Sequence, residues 1–223
     1  MAVQLGNVGR SPQADGRLDA PAFHRNHQPI WSVLEPYLQT RTGDVLELGS
    51  GTGQHVVEFA RKAPHIIWWP SEYSEQHLKS IAAWGAQAAL PNLRPPARID
   101  LAQPDWKWQG QDHQAPDLFT AIFCANVIHI APWRVAQGLF AGAARHLAPN
   151  GRMFLYGPFM KDGQHNATSN AAFDASLRAQ NAEWGVRDIA DLRALGDANG
   201  LTLIDEVPMP ANNRILLFER SRG

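Results

Sequence analysis

The chain has 223 residues, of which 44% are hydrophobic and 18% are charged, and its formal net charge is -1 at pH 7. This length and composition are typical of one α/β domain with a sizeable core, and the near-zero charge gives no general attraction to nucleic acid. The single cysteine, Cys124, excludes an internal disulfide and a thiolate metal cluster. The N-terminal residues lack the apolar run of a signal peptide or a membrane span. We therefore expect a cytoplasmic protein without membrane contact.

Hydrophobic patterns predict alternating helices and strands after a polar start. Residues 1–20 are rich in Gly, Asp, Gln and Pro and have no hydrophobic period, which predicts a flexible tail or a lid, followed by a single domain over 21–223. A helix from Pro21 leads to a strand at Asp44–Leu48. The patterns then predict a helix over Gly53–Lys62, a strand at 65–70, a helix over Ser74–Ala88, strands at 92–101 and 118–126, a helix over Trp133–Leu147 and a strand at 152–159. This alternation indicates a parallel sheet with helices on both faces.

The C-terminal third departs from the alternation. The stretch "KDGQHNATSN" is polar and predicts a loop, with short helices at 171–184 and 188–198. Two further strands, "LTLIDEVPM" and "RILLFER", are joined by "PANN", and so short a connection predicts an antiparallel hairpin.

The glycine-rich stretch "VLELGSGTGQH" follows the first strand and indicates a turn that lets the backbone approach a ligand closely. A phosphate-binding P-loop needs Lys and then Ser or Thr after the last glycine, where this chain has Gln and His. A dinucleotide turn needs a glycine three residues after Gly51, where this chain has Gln54. Glu47 would repel a pyrophosphate, whereas its carboxylate suits a ligand that carries a cationic amine.

"ELGSGTG" resembles the first motif of class I S-adenosylmethionine-dependent methyltransferases, and later landmarks follow in order. Glu72 in "PSEYSE" matches the acid that accepts hydrogen bonds from both ribose hydroxyls. Asp100 and Leu101 in "RIDL" match residues that meet the adenine, and Asn126 in "FCANVIHI" matches one near the methionyl end. The resemblance implies a Rossmann-like α/β fold, with a mostly parallel seven-stranded sheet and an antiparallel C-terminal hairpin. It also implies S-adenosylmethionine as methyl donor and S-adenosylhomocysteine as product.

A closer resemblance covers nearly the whole chain from about Pro21. The strings "RNHQPI", "IFCANVIHIAPW", "LFAGAARHL" and "DGQHNATSNAAFDASLRAQNAEWGVRD" are similar to those of a methyltransferase-like family (the methyltransferase-like 26 type), catalogued as a domain of unknown function. That family more often has Asp in a "PSD" context where this chain has Glu72, a change that keeps the carboxylate and moves it by a methylene. The predicted cofactor-binding residues are Asn26, Glu47, Gly49, Ser50, Gly51, Thr52, Gly53, Glu72, Tyr73, Asp100, Leu101, Asn126 and Val127.

Candidate catalytic residues follow the fourth and fifth strands, at the end of the sheet where such folds bind ligands. His129 is the first candidate base, because its ordinary pKa is near neutrality; the alternative is a backbone contact before Pro132. Tyr156 offers a hydroxyl to the reaction or is a buried aromatic residue. His165 lies in the long polar loop, which is either a lid or a solvated connection.

Candidate substrate contacts are Asn166 in that loop and Asn212 and Asn213 in the hairpin turn, where Asn also serves backbone geometry alone. Asn26 heads the first helix, as a structural cap or as a contact to the cofactor. The nine histidines lack the spacing to an acid that a zincin site needs, so no metal is expected.

The sequence thus predicts an S-adenosylmethionine-dependent methyltransferase acting on a small molecule. One alternative is a non-catalytic protein that senses S-adenosylmethionine or S-adenosylhomocysteine, and another is an NAD-dependent oxidoreductase. The sequence makes no prediction of oligomeric state.

Overall fold

Seven strands form one twisted, mostly parallel sheet. The computed structural model describes residues 13–109 and 115–221. The described residues form ten strands in all: β1 (Gly43–Leu48), β2 (Ile66–Glu72), β3 (Ala97–Arg98), β4 (Phe119–Ala125), β5 (Leu147–Gly157), β6 (Phe159–Lys161), β7 (Gln164–His165), β8 (Arg187–Asp188), β9 (Leu201–Met209) and β10 (Asn213–Arg220). β6, β7 and β8 belong to a second, smaller sheet. The large sheet has the order β3-β2-β1-β4-β5-β10-β9, with β10 antiparallel to both neighbours. The predicted sheet with its antiparallel C-terminal hairpin is confirmed.

Helices cover both faces of this sheet. They are α1 (Pro21–Leu38), α2 (Gln54–Lys62), α3 (Glu75–Ala88), α4 (Trp133–His146), α5 (Thr168–Gln180) and α6 (Ile189–Ala198). Alternate residues of a strand point to opposite faces, and each face has its own apolar cluster. Val45 joins Ile30 of α1 in one cluster, whereas Leu46 joins Leu139 of α4 in the other.

Two predicted strands differ from the structure. Within the predicted strand at 92–101, Ala97–Arg98 forms β3 and Leu93 makes an isolated bridge to Trp68 of β2. The proline residues between them donate no ladder hydrogen bond, so the strand is interrupted. β5 begins at Leu147 rather than at residue 152, and its register against β4 shifts between Phe119 and Ala121. Asn150, in this early part of β5, has a left-handed backbone conformation with a φ of 60°.

The predicted polar loop after β5 is wrong over its first part. β6 and β7 form a short antiparallel hairpin whose turn residues, Asp162 and Gly163, both have positive φ angles. β8 pairs with β6 on its other side, which completes a three-stranded sheet. α5 then begins at Thr168, three residues before the predicted helix, and ends at Gln180.

The described part of the predicted tail or lid ends in a packed segment, residues 17–20, which we call the N-terminal strap. Leu18 is only 2% exposed, its N–H donates to Ser80 Oγ at 2.9 Å, and its carbonyl accepts from Trp84 Nε1 at 2.9 Å. The strap therefore lies on α3. Residues 1–12 of the predicted tail lie outside the described residues. No helix in the described ranges combines the length and apolarity that a membrane crossing needs.

Candidate functional site

The glycine loop after β1 combines packed positions with one open position. Gly49, Gly51 and Gly53 all have positive φ angles, where a side chain is strained. A Cβ atom at Gly49 would overlap the side chain of Val127, and one at Gly53 would lie 2.8 Å from the Cα of Ile81. A Cβ at Gly51 would meet no heavy atom within 4 Å. Two glycines thus permit close packing, and Gly51 borders open space that a ligand can enter.

Glu47 places a buried carboxyl group beside this loop. The side chain is 2% exposed, and its Oε2 has no hydrogen-bond partner among the residues that the structure describes. Burial raises the pKa of Glu47 to about 8; a hydrogen bond from Ser50 opposes this rise and the charge of Glu72 adds to it. Buried polar atoms without partners are rare, and a cationic group there would both satisfy Oε2 and stabilise the carboxylate.

Glu72 ends β2 on the opposite side of the glycine loop. Its Oε2 accepts from the Gly51 N–H at 3.0 Å, and its Oε1 accepts from the N–H groups of Tyr73 at 2.7 Å and Ser74 at 3.2 Å. His77 Nδ1 lies 4.0 Å from Oε2. The carboxylate therefore joins β2, the open glycine and the start of α3.

A cavity of about 510 Å³ lies beyond Glu72 and is lined in part by Tyr73, Asp100, Gln103 and Lys107. Asp100 Oδ1 accepts from the Ala102 N–H at 2.9 Å, which fixes the turn after β3. Leu101 and Val127 are buried in the apolar cluster beside β4. Of the two residues predicted to meet adenine, Asp100 thus lines this cavity and Leu101 is buried in the apolar cluster.

The N-terminal strap connects to the glycine loop through Gln54. Its Oε1 accepts from the Ala20 N–H at 2.7 Å and from Thr52 Oγ1 at 2.9 Å, and its Nε2 donates to Asp19 Oδ1 at 2.9 Å. Gln54 itself is buried. One side-chain amide therefore ties the strap to the loop.

His129 lies over the carboxyl ends of β4 and β5. Asn126 has a φ of 60°, and its N–H donates to Tyr156 O at 2.9 Å, so the two strand ends are held together. A Cβ atom on Gly157 would overlap His129 Nε2, which shows how closely the ring covers that glycine. The His129 ring packs edge-on against Phe159, with ring centroids 5.1 Å apart.

The His129 imidazole is neutral at physiological pH. The side chain is 1% exposed, and neither ring nitrogen has a hydrogen-bond partner among the described residues. Burial, with the charge of Arg187 adding to it, lowers the pKa of His129 to about 3. The backbone alternative is a contact with Gly185, whose N–H donates to the His129 carbonyl at 2.9 Å and whose backbone opposes the lowering of the pKa of the ring. One ring nitrogen is thus able to donate and the other to accept.

Tyr156 lies on the other face of β5, next to α1. Burial raises the pKa of Tyr156, and hydrogen bonds with the side chains of Asn26 and Asn213 oppose that rise. Asn26 Oδ1 lies 2.8 Å from His55 Nε2. The interpretation of Asn26 as a helix cap is wrong, since α1 begins at Pro21 with Ala20 as its N-cap residue.

Asparagine side chains fasten α5 to the β9–β10 turn. Asn166 Nδ2 and Asn170 Nδ2 donate to Asn212 O at 3.1 and 2.9 Å, and Asn170 also donates to Asn166 Oδ1 at 2.7 Å. Asn212 has a φ of 58°, and Asn213 Nδ2 donates to Pro210 O at 3.2 Å. These predicted substrate contacts therefore have structural partners of their own, and Asn213 also contacts the Tyr156 hydroxyl.

A family model described as "Protein of unknown function (DUF938)" matches residues 17–220. The chain belongs to this family. Its description names no activity.

Solved structures share the fold at low sequence identity. An O-methyltransferase family protein from Burkholderia thailandensis has a TM-score of 0.73 at 16% identity, over 91% of this chain and 58% of that one. A putative sarcosine dimethylglycine methyltransferase from Galdieria sulphuraria has a TM-score of 0.67 at 17% identity, over 96% and 92%. CalO1, the methyltransferase in calicheamicin biosynthesis, in its SAH-bound form, has a TM-score of 0.63 at 16% identity, over 90% and 57%.

This chain spans little more than half the length of several of these proteins, including SibL, an S-adenosylmethionine-dependent methyltransferase, at 56%. The likeness confirms the predicted Rossmann-like methyltransferase fold.

Sequence reasoning missed several polar residues around the site. They are Gln54, His77, Asn170 and Asp174, all buried. Of these four residues, only Gln54 could have been identified from the sequence, because it occupies the position where a dinucleotide-binding turn would have glycine. Among the described residues, no group of three or more His, Cys, Asp or Glu side chains is placed to hold a metal ion.

Proposed function

We propose that this protein binds S-adenosylmethionine and transfers its methyl group to a small molecule. The observation that carries the proposal is the buried Oε2 atom of Glu47, which has no partner among the described residues and precedes the glycine loop with its open position at Gly51. A cationic amine satisfies that oxygen without the repulsion that a pyrophosphate would meet. The neighbouring structures described as methyltransferases support the same assignment.

The site residues divide the cofactor between them. In the proposal Glu47, with Gly49, Ser50, Gly51, Thr52 and Gly53, binds the methionyl part, and Glu72 accepts from the ribose hydroxyls. Tyr73, Asp100, Leu101 and Val127 hold the adenine, and Asn126 and Asn26 border the reacting end. When bound, the cofactor supplies an electrophilic methyl group on a sulfonium. We further propose that the chain is related to the methyltransferase-like 26 type proteins.

His129 and Tyr156 border the space where the acceptor would bind. A group with a pKa of about 3 is a weak base at neutral pH, so we assign His129 as a neutral hydrogen-bonding contact that orients the acceptor. Tyr156, held between Asn26 and Asn213, contributes a protonated hydroxyl from the other side of the strand. Asn166, Asn212 and Asn213 shape the wall that faces the acceptor.

Calorimetry separates the proposal from an oxidoreductase. We expect S-adenosylhomocysteine to bind and NADH not to bind. Glu72→Gln should weaken S-adenosylhomocysteine binding about 10- to 100-fold, because a charged acceptor contributes about 1.5–3 kcal/mol. Glu58→Gln on the outer surface of α2 is the control, since Glu58 pairs only with Arg61 and Lys62 in the contacts found. Binding of NADH, or unchanged affinity in Glu72→Gln, would refute the assignment.

Turnover separates an enzyme from a sensor. Formation of S-adenosylhomocysteine from S-adenosylmethionine, in the presence of a filtered extract of small metabolites, supports the enzyme. His129→Ala should lose this turnover and keep S-adenosylhomocysteine binding. A non-catalytic sensor would bind the cofactor equally in both proteins and turn over in neither.

A further inference from the structure

A buried carboxylate lies behind the acceptor side of the site. Asp174, on α5, is 8% exposed. Its Oδ1 accepts from the Val186 N–H at 2.7 Å, and its Oδ2 accepts from Arg178 Nε at 3.0 Å. His165 Nε2 lies 3.5 Å from the same Oδ2. Asp174 therefore faces an imidazole as well as its structural partners.

His165 has one ring nitrogen at this carboxylate and one without a partner. Its Nδ1 is buried and makes no hydrogen bond with any residue of the described ranges. A neutral imidazole donates from one nitrogen and accepts at the other. A carboxylate beside Nε2 favours a proton there, which leaves the Nδ1 lone pair free to accept.

Asp174 also links His165 to the rest of the site. Gly185 lies between Asp174 and His129: a Cβ atom on Gly185 would lie 2.8 Å from Asp174 Oδ1, and the Gly185 N–H donates to His129 O at 2.9 Å. Asn166 follows His165 directly and binds the β9–β10 turn. The charged or titratable groups packed around the pair are Arg178, Arg187 and His129.

We propose that Asp174 is a positioning residue that holds His165 with its proton on Nε2, so that Nδ1 receives the proton that the acceptor loses on methylation. This inference rests on the proposed function. It answers a need that His129 leaves open, since a buried imidazole that stays neutral does not readily take up a proton. It also restricts the acceptor to a molecule with a protic group, a hydroxyl or an amine.

The step is balanced within the site. The acceptor heteroatom forms a bond to the methyl carbon while the carbon–sulfur bond breaks toward sulfur. The heteroatom's proton moves to His165 Nδ1. The positive charge thus passes from the sulfonium to an imidazolium that lies beside the Asp174 carboxylate, where it is stabilised.

The tautomer of His165 tests the inference without any substrate. In ¹⁵N NMR of the full-length protein, we expect His165 to carry its proton on Nε2. Asp174→Asn keeps an oxygen for the Val186 N–H and removes the charge, so the Nδ1-protonated fraction should rise several-fold. Arg178→Gln, which removes the other side-chain partner of Oδ2, is the matched control and should keep the wild-type tautomer. A proton on Nδ1 in the wild type, or an unchanged tautomer in Asp174→Asn, overturns the proposal.

Turnover in the metabolite extract gives a second readout. Asp174→Asn should lower turnover at least tenfold, because the imidazole is then no longer held with its Nδ1 lone pair free to accept the proton. Binding of S-adenosylhomocysteine should stay within threefold of the wild type. His165→Gln, which leaves Asp174 its contacts with Val186 and Arg178, should lose turnover as well.

The outcomes distinguish this inference from the proposed function. Failure to bind S-adenosylhomocysteine defeats the proposed function. Binding with normal turnover in Asp174→Asn or His165→Gln, or an equal loss in Arg178→Gln, defeats the inference alone.

Discussion

Glu47→Gln should make the ligand-free protein more stable while it weakens cofactor binding. Burial holds the pKa of Glu47 at about 8, against an ordinary value of 4.5. An acid whose pKa is higher in the folded protein than in the unfolded chain contributes stability that is fully present below the unfolded pKa. That contribution is lost as the pH rises through the folded pKa. Between pH 4.5 and 7, at about 1.4 kcal/mol per pH unit, the ligand-free fold loses about 3 kcal/mol. Glutamine has the same shape and does not titrate, so it avoids this loss.

The same substitution removes the charge that we assign to the cofactor's amine. Loss of a hydrogen bond to a charged group costs about 1.5–3 kcal/mol, or about 10- to 100-fold in affinity. Wild-type affinity for S-adenosylhomocysteine should also rise with pH up to about 8, because Glu47 must release its proton to bind an amine as a carboxylate. Glu47→Gln should lack that part of the pH dependence.

Thermal unfolding and calorimetry at pH 6, 7 and 8 check both effects. For a domain of this size, about 3 kcal/mol corresponds to a rise in Tm of about 6–12 °C at pH 7. Glu58→Gln, at a surface position of α2, should change neither quantity. A Glu47→Gln variant that is less stable than the wild type without ligand, or that binds S-adenosylhomocysteine equally well, would refute the assignment of this carboxyl group.

Two further substitutions test the parts of the site that contact Glu47's loop. Gly51→Ala should abolish cofactor binding and destabilise the fold by only about 1 kcal/mol. Gly200→Ala, at another left-handed position with open space, is the control: it should be destabilised equally and bind the cofactor normally. Calorimetry measures the binding and thermal unfolding measures the stability. Gln54→Ala should release the N-terminal strap, so backbone hydrogen exchange over 13–20 should become several-fold faster and cofactor affinity should fall. Gln180→Ala, at the exposed end of α5, is the control and should change neither quantity. Unchanged exchange in Gln54→Ala would show that Gln54 does not hold the strap to the glycine loop.

The sheet was largely predictable from the sequence, and so was the position of the proposed cofactor-binding residues at one edge of it. Buried parallel strands produce apolar runs, such as Val45 to Leu48, and the residues just after them meet at one edge of the sheet. Glu47, the glycines and Glu72 therefore stand in short local patterns. Their geometry follows from the strand ends and needs no information from distant parts of the chain.

The small sheet and the acceptor half were not predictable in the same way. β6 and β7 are short and carry Lys161, Gln164 and His165, so they show no apolar alternation that would distinguish them from a loop. Asp174 looks like any acid on a helix surface until α5 docks and buries it against Val186. The contact with His165 exists only because the hairpin folds back, which no local pattern encodes.

The chemistry of the two halves argues for the kind of acceptor. Around the cofactor, Glu47 and Glu72 are buried acids that suit a ligand with cationic and hydroxyl groups. On the acceptor side the groups are amides, imidazoles and a phenol, together with three charged side chains. The charge of Asp174 is already balanced by Arg178, and the Arg187 guanidinium already donates to backbone carbonyls, those of Ile128, Ala131 and Glu183. A charged acceptor would lose hydration there without gaining a full counter-charge, which is costly, whereas amide and imidazole groups satisfy a neutral hydroxyl or amine well. Under the proposed function, the acceptor side therefore favours a neutral, protic small molecule, whose proton passes to His165 in our further proposal.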